Sequence, residues 1–190
     1  MHYPYWKERL KKVFRFRNRR GFGVHSPVLF NLITQAIADR KHRYTYHIAA
    51  EQAKGITRKE RKLYRMLFRL TSYLGVKNIL CLTEKMENLS LYLSALPNDV
   101  VISDERPERL AEFDFIYVAE KSIDKIEKVD WQQIIGENRR IGIVLEGIYS
   151  QKNASDLWKE LQSKARVSID AMWYGILFFD AKWQKGRYKI

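Results

Sequence analysis

The sequence contains one cysteine, Cys81, four prolines and nine glycines among its 190 residues. A single cysteine excludes an internal disulfide and any zinc site built from clustered cysteines. No apolar run approaches the roughly 20 residues that a membrane-spanning helix requires, and the N-terminus has no signal-peptide core. With 46% hydrophobic and 30% charged residues, the composition predicts a folded, cytoplasmic, single-domain protein without a metal site.

Acidic residues are scarce in the first third of the chain. Residues 1–70 hold 18 Lys and Arg against 4 Asp and Glu, although the whole chain has a net charge of +13. Residues 3–18 have the period of an amphipathic helix, with its apolar stripe formed by Trp6, Leu10, Val13 and Phe14. Around that stripe lies a positive patch that comprises Lys11, Lys12, Arg15, Arg17, Arg19 and Arg20.

Three roles remain open for this positive patch. It could bind the phosphate backbone of a nucleic acid without reading its sequence, since no base-reading motif is present. It could also lie on an anionic membrane surface, as basic amphipathic helices that carry a tryptophan do. In the third alternative the apolar stripe packs on the rest of the protein and the charges are only solvated.

Two further helices are predicted before residue 75. The first begins with Ser26 as N-cap and Pro27 at the first helical position, and ends near residues 39–40. The second begins at a capping box formed by Thr57 and Glu60 and ends at Gly75, with basic residues on the face opposite its leucines. Residues 1–75 are therefore interpreted as a basic helical cap.

After residue 75 short apolar runs alternate with helical patterns. Strands are predicted at 77–82, 99–104, 113–118, 140–145, 166–173 and 175–180, and helices at 86–96, 107–112, 126–135 and 154–163. Alternation of this kind predicts an α/β fold with a mostly parallel sheet. The last two strands are too close in sequence for a helical crossover, so an antiparallel hairpin is expected there. Residues 76–190 form this α/β part, and with the cap they are expected to make one compact unit.

Two stretches resemble one group of class I S-adenosylmethionine-dependent methyltransferases. They are Gly21-Phe22-Gly23-Val24-His25-Ser26-Pro27 and the Ser168-Ile169-Asp170 segment followed by Gly175. The resemblance covers nearly the whole chain and implies a Rossmann-like methyltransferase sheet with S-adenosylmethionine as cofactor. It places Glu84 near the methionine part of the cofactor, and Asp104 and Glu105 near the ribose. Solvated turn residues are an equally good interpretation of Asp104 and Glu105.

The chain departs from this family where the cofactor would bind. The stretch from Leu80 to Asn88 follows the first strand and contains no glycine, although the backbone there must approach the cofactor closely. The aspartate pair that the family has after its fifth strand is replaced by Glu146-Gly147, while Tyr149 still matches. A helix–strand unit before residue 113 is also missing. These departures predict an eroded cofactor site and weak or absent catalysis.

The remaining polar residues have structural alternatives. His25 is a candidate general base or, through a hydrogen bond to backbone, a residue that orients its loop. Cys81 lies in an apolar strand, which predicts a core residue with a raised pKa and not a nucleophile. Asp170 is expected to be buried and hydrogen-bonded. Two functions follow: a methyltransferase-family protein with an eroded site and an unknown acceptor, or a non-catalytic module that binds an anionic partner through its cap.

Overall fold

The computed structural model describes residues 23–24, 26–39, 44–97, 99–126 and 128–190. The helices are α1 (Pro27–Asn31), which continues into a π-helical segment (Leu32–Ile37), α2 (Ile48–Gln52), α3 (Arg58–Leu74), α4 (Met86–Leu93), α5 (Trp131–Glu137) and α6 (Lys152–Lys164), with 3-10 turns at Leu110–Glu112 and Glu120–Ile126. The strands are β1 (Asn78–Leu82), β2 (Val101–Ser103), β3 (Phe115–Val118), β4 (Gly142–Glu146), β5 (Val167–Asp170), β6 (Tyr174–Phe178) and β7 (Gly186–Lys189).

All seven strands form one mixed sheet in the order β2-β1-β3-β4-β6-β5-β7. Strands β1 to β4 are parallel to one another, whereas β6 is antiparallel to both β4 and β5. The predicted α/β class and the antiparallel C-terminal hairpin are therefore confirmed. The sequence patterns did not predict β7, which pairs with β5 in parallel and forms one edge of the sheet.

Alternate residues of each strand bury opposite faces of the sheet. On one face, Ile79 and Cys81 of β1 belong to a core that includes α1, the π-helical segment, α3 and α4. On the other face, Leu80 and Leu82 pack with α5, α6 and the two 3-10 turns. The described helices before residue 75 thus share a continuous apolar core with the sheet.

The ends of the predicted cap helices form as their sequences indicate. The Ser26 Oγ accepts a hydrogen bond from the Leu29 amide at 3.4 Å, with Pro27 in the first turn of α1. In α3 the Thr57–Glu60 capping box is complete, and Gly75 ends the helix with φ of 63°. A left-handed residue at that position favours glycine because it has no Cβ to collide with the backbone.

Three of the basic residues predicted opposite the leucines of α3 bind the preceding chain. Arg69 is buried, and its guanidinium donates to the carbonyls of Ala36 and Ile37 and to the Tyr46 hydroxyl at 2.7, 3.1 and 2.6 Å. One and two turns earlier, Arg65 and Arg61 bind α2 and the residue that follows it. Arg61 and Arg69 thus supply donors to backbone carbonyls at the ends of two helices, and Arg65 pairs with the Glu51 carboxylate.

Other boundaries differ by a few residues. α2 was not predicted, and residues 120–126 form a 3-10 turn where the helix of residues 126–135 was expected to begin, so α5 starts only at Trp131. Strand β5 stops at Asp170, three residues before the predicted end, because Ala171 to Trp173 make the tight connection to β6. The basic helix of residues 3–18 lies outside the described residues.

Gly175 provides a sharp test of packing on the sheet. A Cβ built there would lie 2.2 Å from the Trp158 ring, whereas one built on Gly136 of α5 meets nothing within 4 Å. We expect Gly175→Ala to lower the free energy of unfolding by about 2 kcal/mol or more, through overpacking. Gly136→Ala should leave it unchanged or raise it by up to about 1 kcal/mol. Urea denaturation of both variants measures the difference, and equal effects would contradict the packing of Trp158 on Gly175.

The buried guanidinium of Arg69 should be worth far more than an exposed one on the same helix. Arg69→Met leaves two carbonyls without their donor, so we expect a loss of about 3 kcal/mol in the free energy of unfolding. Arg58 is exposed at the start of α3, and Arg58→Met should change this quantity by less than about 0.5 kcal/mol. Denaturant titrations followed by circular dichroism measure both values, and a loss below about 1 kcal/mol for Arg69→Met would contradict the buried role.

Candidate functional site

The order of the strands creates a crevice at the carboxyl ends of β1 and β3. From β1 the chain first adds β2 on one side and then β3 on the other, so the connections leave β1 and β3 in opposite directions. In open α/β sheets ligands bind beyond the carboxyl ends of the strands at such a switch point. A cavity of about 250 Å³ lies at this place, and we call it the switch-point cleft. Its described lining comprises Glu60, Tyr64, Thr83, Glu84, Lys85, Tyr117, Ala119, Glu120, Lys121 and Glu146.

Ion pairs connect the walls of the switch-point cleft. The Lys59 Nζ lies 3.1 Å from a carboxylate oxygen of Glu146 and 4.0 Å from one of Glu120. Lys85 pairs with Glu60 of α3. Both links join α3 to loops or strand ends of the sheet, so cations of this chain neutralise carboxylates that would otherwise face a ligand.

The hydroxyl of Tyr117 contacts the same Glu146 carboxylate that pairs with Lys59. It donates to a Glu146 carboxylate oxygen at 3.1 Å, and burial followed by the charge of Glu146 raises its pKa well above the usual range. Burial and then the charge of Glu60 also raise the pKa of Tyr64. Both phenols therefore stay protonated around neutral pH, and that of Tyr117 acts as a hydrogen-bond donor, not as a base.

The turn after β1 occupies the position where the resemblance places the methionine part of the cofactor. Glu84 is exposed there and lies 3.6 Å from the Lys121 ammonium. The Thr83 hydroxyl accepts from the Lys85 amide at 3.1 Å, which holds a turn built from three residues with side chains. Thr83, Glu84 and Lys85 all line the cleft, so side chains occupy its rim where the resemblance implies glycines.

The two acids assigned to the ribose are not in this cleft. Asp104 and Glu105 follow β2 on the other side of β1, and both are exposed. Neither belongs to the described lining of the cleft, which does include Glu84. The structure thus places Glu84, but neither Asp104 nor Glu105, in the lining of the switch-point cleft.

The other candidate residues have distinct surroundings. The Tyr149 hydroxyl donates to a carboxylate oxygen of Asp170 at 2.5 Å, and Asp170 also accepts from the Met172 amide at 2.8 Å. Asp170 is 1% exposed, as expected for a buried, hydrogen-bonded residue. Glu146 lies in the cleft, but Ser26 acts as a helix cap. His25 and the positive patch, consisting of Lys11, Lys12, Arg15, Arg17, Arg19 and Arg20, lie outside the described residues.

Sequence reasoning did not identify Lys59 and Glu120 as site residues. Lys59 was one of several basic residues on the face of α3 opposite its leucines, and Glu120 stood after a strand where the resemblance implies an aspartate. The glycine that follows Glu146 in the sequence was a usable signal. In the structure Gly147 has φ of +70°, and a Cβ there would lie 2.7 Å from the Glu120 side chain. A glycine directly after a strand that ends in Glu146 marks the place where Glu120 must fit.

The described residues contain no group of three His, Cys, Asp or Glu side chains arranged to hold a metal ion. None of the helices formed by the described parts of the chain has both the length and the apolar character needed to cross a bilayer. Comparison with protein-family models, with curated proteins and with solved structures found no match for this chain.

Cys81 is buried on the face of β1 that packs against α1, α3 and α4. Burial and, secondarily, the charge of Asp104 raise the pKa of its thiol to about 12. A thiolate is the reactive form, so we expect iodoacetamide at pH 8 to alkylate the native protein about a hundredfold or more slowly than the unfolded protein. Mass spectrometry over time measures both rates, with guanidinium-unfolded protein as control. Similar rates in the two states would contradict the core placement of this strand.

Proposed function

We propose that this chain is a methyltransferase-family protein whose S-adenosylmethionine site no longer supports methyl transfer. The observation that carries this proposal is the switch-point cleft, whose position suits a cofactor but whose walls are joined by ion pairs of the chain itself. The fold is retained in this view, while the chemistry at the carboxyl edge of the sheet has changed.

The topology supports the family part of the proposal. Four parallel strands followed by an antiparallel strand inserted between β4 and β5 agree with the sheet that the resemblance implies. The chain passes from β2 to β3 through only a short 3-10 turn at Leu110–Glu112, consistent with a missing helix–strand unit. Without that unit, β2 is the edge of the sheet and one expected wall of a nucleoside pocket is lacking.

The surviving motif residues support a packing role for what has been kept. Ser168 accepts from the Gln162 side chain at 3.1 Å, Asp170 holds the hairpin, and Gly175 leaves room for Trp158. These residues maintain the fold whether or not a cofactor is bound. The stretch at the cofactor position, by contrast, has Thr83, Glu84 and Lys85 in place of glycines.

Loss of function follows from the charges in the cleft. A methionine ammonium would have to compete with Lys121 for Glu84, while the cofactor's carboxylate would meet Glu60 and Glu120. The ammonium would gain little at Glu84, because it would only replace a positive charge that Lys121 already supplies to this exposed carboxylate. The cleft of about 250 Å³ is also below the usual range of about 300–1,000 Å³ for small-molecule sites.

The alternative is a non-catalytic module that binds an anionic partner, either nucleic acid or a membrane surface, through the positive patch. Its support is the charge of the first 20 residues, eight of which are Lys or Arg. The described part of the cap adds less to such a surface than its composition suggests, because Arg61, Arg65 and Arg69 are engaged inside the protein.

Calorimetric titration with S-adenosylhomocysteine tests the proposed loss of function. We expect no detectable heat with ligand at about 1 mM, which corresponds to a binding free energy weaker than about −4 kcal/mol. A dissociation constant in the micromolar range, weakened severalfold by Asp104→Ala or Glu84→Gln, would overturn the proposal and identify a working site. Circular dichroism of each variant provides the control for folding.

A further inference from the structure

A second and larger cavity lies beside the switch-point cleft. It has a volume of about 460 Å³ and is lined by α3, the end of the π-helical segment and the connection between β5 and β6. We call it the hairpin cavity. This volume falls within the range of small-molecule sites. Its apolar lining includes Leu63, Met66 and Ile190, and three aromatic rings border it, those of Tyr46, Trp173 and Tyr174.

The charges that face the hairpin cavity are mainly positive. Four cationic side chains and two carboxylates belong to its described lining, namely Lys59, Lys62, Arg65, Arg69, Asp39 and Glu146. Three of the cations are engaged: Lys59 with Glu146, Arg65 with Glu51, and Arg69 with backbone carbonyls. Lys62 is exposed at the rim and forms no ion pair with a described residue. A ligand anion would therefore find its partner at Lys62.

The loop that forms one wall of this cavity has an unfavourable backbone conformation. Met172 is buried and has φ of 72°, the only positive φ at a non-glycine residue in the described chain. The Asp170 carboxylate accepts from its amide, and Trp173 is fixed on both sides, its amide bound to Ala171 and its carbonyl to Gly147. Strained residues that the surrounding structure holds in place are concentrated at ligand sites. Here the strained turn at Met172 lies between Ala171 and Trp173, which both line the cavity.

We propose that the hairpin cavity binds a small aromatic carboxylate, with its ring among the apolar and aromatic side chains and its carboxylate at Lys62. Aromatic rings pack favourably on Tyr and Trp faces, and Met66 adapts readily to a ring edge. A neutral ring would gain the same packing but not the ion pair. This site is separate from the proposed loss of cofactor binding, because the ribose acids and the turn after β1 do not line it.

Titration with 1-naphthoate, and with neutral 1-naphthamide of nearly the same shape, tests the proposal. We expect 1-naphthoate to bind with a dissociation constant below about 1 mM and 1-naphthamide to bind at least about fivefold more weakly. Lys62→Glu should weaken 1-naphthoate by about fivefold or more and leave 1-naphthamide unchanged. Lys54→Glu is the matched control, since Lys54 is an exposed lysine that does not line the cavity, and its effect should be under about twofold.

Ala38→Leu provides a second variant that does not depend on charge. Ala38 lines the cavity and is partly exposed, so a larger side chain should reduce the available volume without entering the core. We expect this variant to weaken both naphthalene compounds by about fivefold or more. No binding of 1-naphthoate at about 5 mM, equal effects of the two lysine reversals, or full binding by Ala38→Leu would each overturn the proposal. A null titration with S-adenosylhomocysteine would leave it standing.

Discussion

Arginine side chains on the inner side of α3 are the interactions on which the rest of the structure depends. Arg69 is buried and satisfies two carbonyls at the end of the π-helical segment, while Arg61 and Arg65 hold α2. A buried guanidinium is costly to desolvate, so such an arrangement persists only where its donors are used. These bonds fix α3 against both earlier segments, and side chains of α3, Arg65 and Arg69 among them, line the two cavities.

The strand order determines where those cavities lie, and the side chains determine what can enter. Any sheet with this switch point has a crevice between β1 and β3. In this chain Lys59, Lys85 and Lys121 pair with carboxylates on its walls, so the polar groups mostly satisfy one another. The hairpin cavity differs because apolar and aromatic side chains form much of its lining and Lys62 is exposed at its rim.

The sequence carried enough information for the fold class but not for the site. Hydrophobic periodicity and caps such as Ser26, Thr57 and Gly75 depend on neighbouring residues, and these predictions were confirmed. Strand β7 was not predicted because its segment, Gly186–Lys189, is short and carries polar residues, as an edge strand can. The inward contacts of Arg61 and Arg69 were missed for a different reason: their partners are mainly backbone carbonyls, which every residue has, so no pattern of side chains marks them. Lys59 and Glu120 meet only through the fold.

The Lys59–Glu146 pair connects the two cavities, since both residues line the hairpin cavity and Glu146 also lines the switch-point cleft. Tyr117 donates to the same carboxylate, so Glu146 has two partners, the Tyr117 hydroxyl and the Lys59 ammonium. A ligand in the hairpin cavity that drew Lys59 away would leave a half-buried carboxylate beside Glu120, a costly arrangement of like charges. An incoming anion therefore gains most at Lys62, where no ion pair with a described residue has to break, and the Lys59–Glu146 pair lies between the two cavities.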